Sequence, residues 1–123
     1  MKLAIFVMSD PSNGKEALGR VFNALAVAVE ATGKGDEVNV VFAGTGTHWP
    51  AELSKLGHPA RALYDAARPV ITGASCACSA VFEAKDGVAA CGIPEIKDNP
   101  IPGTPGLASF RKYLADGWQT LVF

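Results

Sequence analysis

Apolar residues run without a break from Leu3 to Met8, the pattern of a parallel strand covered on both faces. Ser9 to Gly14 is rich in turn formers. Within it Asn13 can cap a helix, with Glu16 three residues on to complete a capping box. Leu18, Val21, Phe22, Leu25 and Val29 then recur at the spacing of one helical face. Glu16, Arg20, Asn23 and Glu30 lie opposite, with Val27 the one apolar residue among them, and Gly33 and Gly35 close the helix. Glu37 to Ala43 reads as a second buried strand, followed by a Gly44–Thr47 loop.

Prolines punctuate the middle of the chain. Helices are expected near Pro50 and near Pro59, because proline suits a first helical turn. The second holds Leu63, Ala66 and Ala67 and stops before Pro69. Val70 to Gly73 reads as a third strand. A helix capped by Ser75 follows, with Cys78, Val81 and Phe82 on one face. Asp86 to Cys91 is a further helical turn or two, and Ile93 to Ile96 a short fourth strand. Asn99 to Gly106 reads as a rigid surface loop. Thr104 and Pro105 are expected to open a last helix carrying Leu107, Phe110 and Leu114, before a final strand from Trp118 to Phe123.

Strands that alternate with helices make a βαβ series, since parallel strands need crossovers. The expectation is one three-layer α/β domain over residues 1–123, with a mostly parallel sheet of about five strands. Ligands and reactive groups in this class gather where strands end and helices begin. That selects three loops: Ser9 to Gly14, Gly44 to His48, and Gly73 to Ser79.

Composition narrows the function. Eleven Lys and Arg nearly cancel twelve Asp and Glu, for a net charge of -1, so direct nucleic-acid binding is not expected. No apolar run reaches the roughly 18 residues of a spanning helix, so no membrane partner is expected. Three cysteines are too few, and odd in number, for a secreted disulfide scaffold; a reducing cytoplasm is the expected location.

The candidate chemistry centres on Gly73-Ala74-Ser75-Cys76-Ala77-Cys78-Ser79-Ala80. A helix start leaves backbone N–H groups unpartnered and favours negative charge, so a cysteine in the first turn is a candidate nucleophilic thiolate. The plain alternative is that Cys76 and Cys78 are small buried hydrophobes. One residue separates them, so the redox Cys-x-x-Cys motif is absent. The remaining soft ligands (Cys91, His48, His58) lack the paired spacing of a zinc site, and neither metal nor cofactor is expected. His48 is either a solvated loop residue or a group that tunes a thiolate across the crevice. Cys91 reads as core and His58 as a helix cap. Gly44-Thr45-Gly46 begins like a dinucleotide fingerprint, but Trp49 occupies its third glycine position.

The Gly73 to Phe82 segment resembles the cysteine segment of the DsrE/DsrF-like family. So does its frame: a first strand ending Ser9-Asp10-Pro11, a long first helix, and a second strand ending Phe42-Ala43-Gly44. The resemblance covers essentially the whole chain and implies a flavodoxin-like three-layer α/β/α sandwich. It also implies a homo-oligomer, trimer or hexamer, that relays sulfur as a cysteine persulfide between donor and acceptor proteins. The family's cysteine matches Cys78. Some members have Cys-x-x-Cys here; this chain has Ser75 at the first of those positions and Cys76 beside it. The expected function is sulfur relay on Cys78, with Cys76 resolving the persulfide or shaping the loop and His48 assisting. Two alternatives stay open. One is a small-ligand or nucleotide-binding module using the crevice between the Gly44–His48 loop and the Pro-rich loop. The other is an oligomeric structural protein with an inert thiol.

Overall fold

The computed structural model describes all residues from Met1 to Phe123. Five strands, β1 (Lys2–Val7), β2 (Glu37–Phe42), β3 (Ile71–Ser75), β4 (Glu95–Ile96) and β5 (Gln119–Val122), form one sheet in the order β4-β3-β2-β1-β5. Every pairing is parallel. β1 is held on both sides, by β2 from Lys2 opposite Glu37 to Val7 opposite Phe42, and by β5 from Leu3 opposite Gln119 to Phe6 opposite Val122. Its apolar run does not alternate because both faces are covered: Leu3, Ile5 and Val7 enter one core and Ala4 and Phe6 the other.

Six α-helices accompany the sheet: α1 (Gly14–Gly33), α2 (Trp49–Leu53), α3 (Arg61–Ala67), α4 (Cys76–Val81), α5 (Lys85–Ala90) and α6 (Phe110–Ala115). The chain steps outward from β1 to β4 in one direction. Right-handed crossovers therefore lay their helices on one face, and the return from β4 to β5 puts α6 on the other. The cores follow this division. Leu3, Ile5 and Val7 join a cluster of 21 buried residues that includes Val21 and Leu25 of α1, Leu53 of α2, Tyr64 of α3 and Val88 of α5. The opposite face has a cluster of four, Ala4, Phe6, Val41 and Ala108. Phe110 stacks on Phe6 there, with ring centroids 3.7 Å apart, and Tyr113 meets Phe6 edge-on. The result is a flavodoxin-like three-layer α/β/α sandwich with one thick and one thin outer layer. No helix is long and apolar enough to cross a membrane.

Local readings shift in instructive ways. The buried stripe of α1 is Ala17, Val21, Ala24, Leu25, Ala28 and Ala31, while Phe22 is 41% exposed. Alanines let the helix approach the sheet closely, so the stripe lies about one residue round from the one large side chains suggest. Asn13 stands at the N-cap of α1 as expected but makes no side-chain capping bond; the bonded cap is one turn earlier, where the Asp10 carboxylate accepts from the N–H of Ser12 and opens a 3-10 turn over Pro11–Asn13. Glu16 pairs with Arg20 instead of closing a capping box. The third strand begins at Ile71 because Arg68–Val70 forms a 3-10 turn around Pro69. The last helix starts at Phe110, capped by Ser109, which accepts from Lys112 N–H. Leu107 is held out of it by a backbone pair with Asn99 that closes the Pro-rich loop. Gly73 lets β3 approach the chain entering β4: a Cβ there would lie 2.5 Å from the Pro94 carbonyl oxygen.

Candidate functional site

The three loops selected from the sequence meet at the carboxyl edge of the sheet. After β2 the chain turns through a 3-10 segment, Gly44–His48, directly into α2. Gly46 packs this segment on β1 so closely that a Cβ would stand 2.1 Å from the Val7 carbonyl oxygen. The glycine spacing that resembled a nucleotide fingerprint thus has a packing cause. Trp49, only 1% exposed, donates its indole N–H to the Ser9 carbonyl at 2.8 Å and ties the first loop to the second. The His48 ring ties the second loop to the third: Nε2 lies 2.6 Å from the carbonyl oxygen of Phe82, just past the end of α4. His48 therefore contacts the cysteine helix through its backbone.

α4 leaves β3 without a side-chain cap. The Ser75 hydroxyl instead accepts from the N–H of Ala108, and Ser79 donates back to the Ser75 carbonyl. The Ala77 N–H donates to the Gly106 carbonyl at 2.9 Å. The Pro-rich loop is thereby seated on the first turn of α4 and takes up one of the N–H groups expected to be free for an anion.

The two cysteines of this helix have opposite surroundings. Cys76 is buried and donates its S–H to Glu95 Oε2 at 3.2 Å. Burial pushes its thiol up from the usual range, and the hydrogen bond to Glu95 and that carboxylate's charge push the same way, against Lys85 and Lys97. Cys76 is thus a protonated thiol, not the thiolate its place in a first turn suggests. Cys78 is half-buried, with no hydrogen-bond partner on its sulfur. Two residues along a helix is about 200° around it, so the two thiols do not face each other while α4 is intact.

Cys91 ends α5 and is half-buried against the larger core, with its sulfur 3.4 Å from Ser54 Oγ. His58 is not the expected helix cap: Ala60 holds the N-cap position of α3 with no side-chain capping bond, and His58 Nδ1 accepts the Ala60 N–H in the turn before the helix. No group of three or more His, Cys, Asp or Glu side chains converges as a metal site. Beside His48 an open cavity of about 500 Å³ is lined by Asp10, Ser12, Glu52 and Lys55. The Asp10 carboxyl is held below its usual range by the Ser12 backbone and hydroxyl hydrogen bonds. A separate cavity of about 370 Å³ lies at the Pro-rich loop, beside Lys97. No residue lines both cavities.

Glu95 is the residue the sequence did not offer. Its contact with Cys76 depends on β4 pairing beside β3, with Glu95 opposite Ala74, and no local spacing encodes that register.

No family model matches the chain, and no curated protein matches it. Among solved structures it is similar to a conserved protein of unknown function from Bacteroides thetaiotaomicron. The TM-score is 0.65 at 20% identity, over 99% of this chain and 94% of that one. That likeness is one of fold.

Proposed function

We propose that the protein is a sulfur carrier that holds sulfane sulfur as a persulfide on Cys78. The observation that carries the proposal is the half-buried, unpartnered Cys78 sulfur at the carboxyl edge of the sheet, in a chain whose two other thiols are already engaged. The resemblance of Gly73–Phe82 to the DsrE/DsrF-like cysteine segment points the same way.

The chemistry is a pair of displacements. The Cys78 thiolate attacks the terminal sulfur of a donor persulfide. The donor's S–S bond breaks, its thiolate leaves, and Cys78–S–S⁻ remains. An acceptor thiolate then attacks the outer sulfur and releases Cys78 as the thiolate. No net oxidation occurs. Cys76 supports the site by fastening α4 to β4 through Glu95, and His48 by holding the far end of α4. Homo-oligomerisation and the donor and acceptor proteins belong to the same proposal.

A small-ligand binding module is the second reading, favoured by the polar cavity beside His48. Intact mass spectrometry after treatment with a sulfane-sulfur donor separates the two. Relay predicts one added sulfur that is absent in Cys78→Ser and retained in Cys91→Ser. A mass that stays unchanged with reduced thiols counts against relay.

A further inference from the structure

A persulfide on Cys78 shares its short helix with a second thiol, Cys76. Attack of the Cys76 sulfur on Cys78 Sγ would form a Cys76–Cys78 disulfide and break the bond to the outer sulfur. That sulfur would leave as hydrosulfide with the electron pair of the broken bond and take up the Cys76 proton. One S–S bond replaces another, so no oxidant is needed, and the cargo is lost as hydrogen sulfide.

Three successive contacts oppose this reaction. The Ser75 hydroxyl accepts from the Ala108 N–H at 3.0 Å. Cys76, 4% exposed, donates to Glu95 Oε2 at 3.2 Å. Ala77, between the two cysteines, donates its N–H to the Gly106 carbonyl at 2.9 Å. β4 and the Pro-rich loop thus hold the first turn of α4 from two separate segments. In an intact helix the Cβ atoms of these cysteines point about 200° apart, a geometry no disulfide spans without backbone movement. Glu95 is an exposed residue on an edge strand of only two residues. Its carboxylate makes no ion pair, and its one hydrogen bond goes to the Cys76 thiol.

We propose that Glu95 is a positioning residue that keeps Cys76 from resolving a Cys78 persulfide, so that sulfur leaves only to an external acceptor thiol. The role of the hold rests on the carrier reading; the hold itself is measured without sulfane sulfur.

In a Cys91→Ser background, limiting dithiobis-nitrobenzoate converts Cys78 to its mixed disulfide, located by peptide mass spectrometry. Attack by Cys76 then expels a second thionitrobenzoate, read by its absorbance. With Glu95 in place the mixed disulfide is expected to persist. Glu95→Ala is expected to expel the second thiol and close the Cys76–Cys78 disulfide roughly ten-fold faster, about what a hydrogen bond to a charged group is worth. Glu95→Gln, whose amide oxygen still accepts the S–H, is expected to fall between, and Cys76→Ser to abolish the step. Thermal unfolding checks that the variants are folded. Equal rates with Glu95 and in Glu95→Ala, or a mixed disulfide that does not form on Cys78, overturn the proposal. Loading the same proteins from a sulfane-sulfur donor tests the reading beneath it: sulfide is expected from Glu95→Ala and retained sulfur from the protein with Glu95. Proteins that take up no sulfur yet keep the ten-fold difference sink the carrier reading alone and leave the hold by Glu95 standing.

Discussion

Cys76 and Cys78 are two residues apart on one short helix, yet they stand in two different chemical regions. The Cys76 side faces the sheet edge. There the thiol is buried, donates to Glu95 and is held protonated. The Cys78 side carries a half-buried sulfur with no partner, on a helix steadied from outside by Gly106 at its start and by His48 beyond its end. Position in a first turn is shared by both residues and so does not decide reactivity. What the strand register and the loops bring against each sulfur decides it. A first-turn cysteine beside a carboxylate is an anchor, and one that is partly exposed and free of partners is available for chemistry.

The largest perturbations available strike the backbone contacts beneath each region. Gly46→Ala places a Cβ against the Val7 carbonyl and lifts the His48 segment from β1. A loss of about 3 kcal/mol, on the order of 10 °C in Tm, is expected by thermal unfolding. Gly73→Ala forces the Pro94 carbonyl away and loosens β4 from β3. It is expected to cost about 2 kcal/mol. Because Glu95 leaves with β4, it should also expose Cys76 to alkylation while leaving Cys78 labelling little changed. Equal gains at both cysteines in Gly73→Ala would erase the distinction between the regions.

A smaller effect comes from Glu95→Gln. Removing the carboxylate charge lowers the Cys76 pKa toward its usual value, so Cys76 alkylation at mildly alkaline pH should accelerate several-fold. Linkage gives the corresponding stability change. A thiol whose pKa is raised in the folded state stabilises the fold fully below its unfolded value, 9.0 for this group. The contribution is lost as pH climbs through the folded value. Tm measured from about pH 8 to about pH 10 should therefore fall more in the parent than in Cys76→Ala. Smallest is His48→Ala, which removes the hydrogen bond to Phe82 and is expected to cost about 1 kcal/mol. Its signature is local: faster hydrogen exchange at the end of α4, with β4 unaffected.

Much of this architecture is legible in the sequence, because periodicity and punctuation report burial and turns directly. The run Leu3–Met8, the long amphipathic helix and the glycine-proline breaks place the strands and helices to within a few residues. The errors have particular causes. Alanine-rich faces carry a weak hydrophobic signal, so Phe22 outweighs Ala24 and Ala28 in a pattern although they are the buried ones. Thr104-Pro105 is a good helix opening by composition, yet the Asn99–Leu107 pair claims that backbone first. Val81 and Phe82 fit an apolar helical face and are nonetheless exposed, since α4 buries Cys76, Ala77 and Ser79 instead. At the site, the three converging loops follow from the fold class. Glu95 against Cys76 and Phe82 against His48 are contacts between distant segments, and only the assembled chain displays them.

The central claim is that Cys78 carries sulfane sulfur. Intact mass spectrometry of the reduced protein after exposure to a sulfane-sulfur donor tests it most directly. The account predicts a gain of one sulfur, reversed by a thiol reductant, absent in Cys78→Ser and present in Cys76→Ser and Cys91→Ser. No gain in the parent, or a gain that persists in Cys78→Ser, would contradict it.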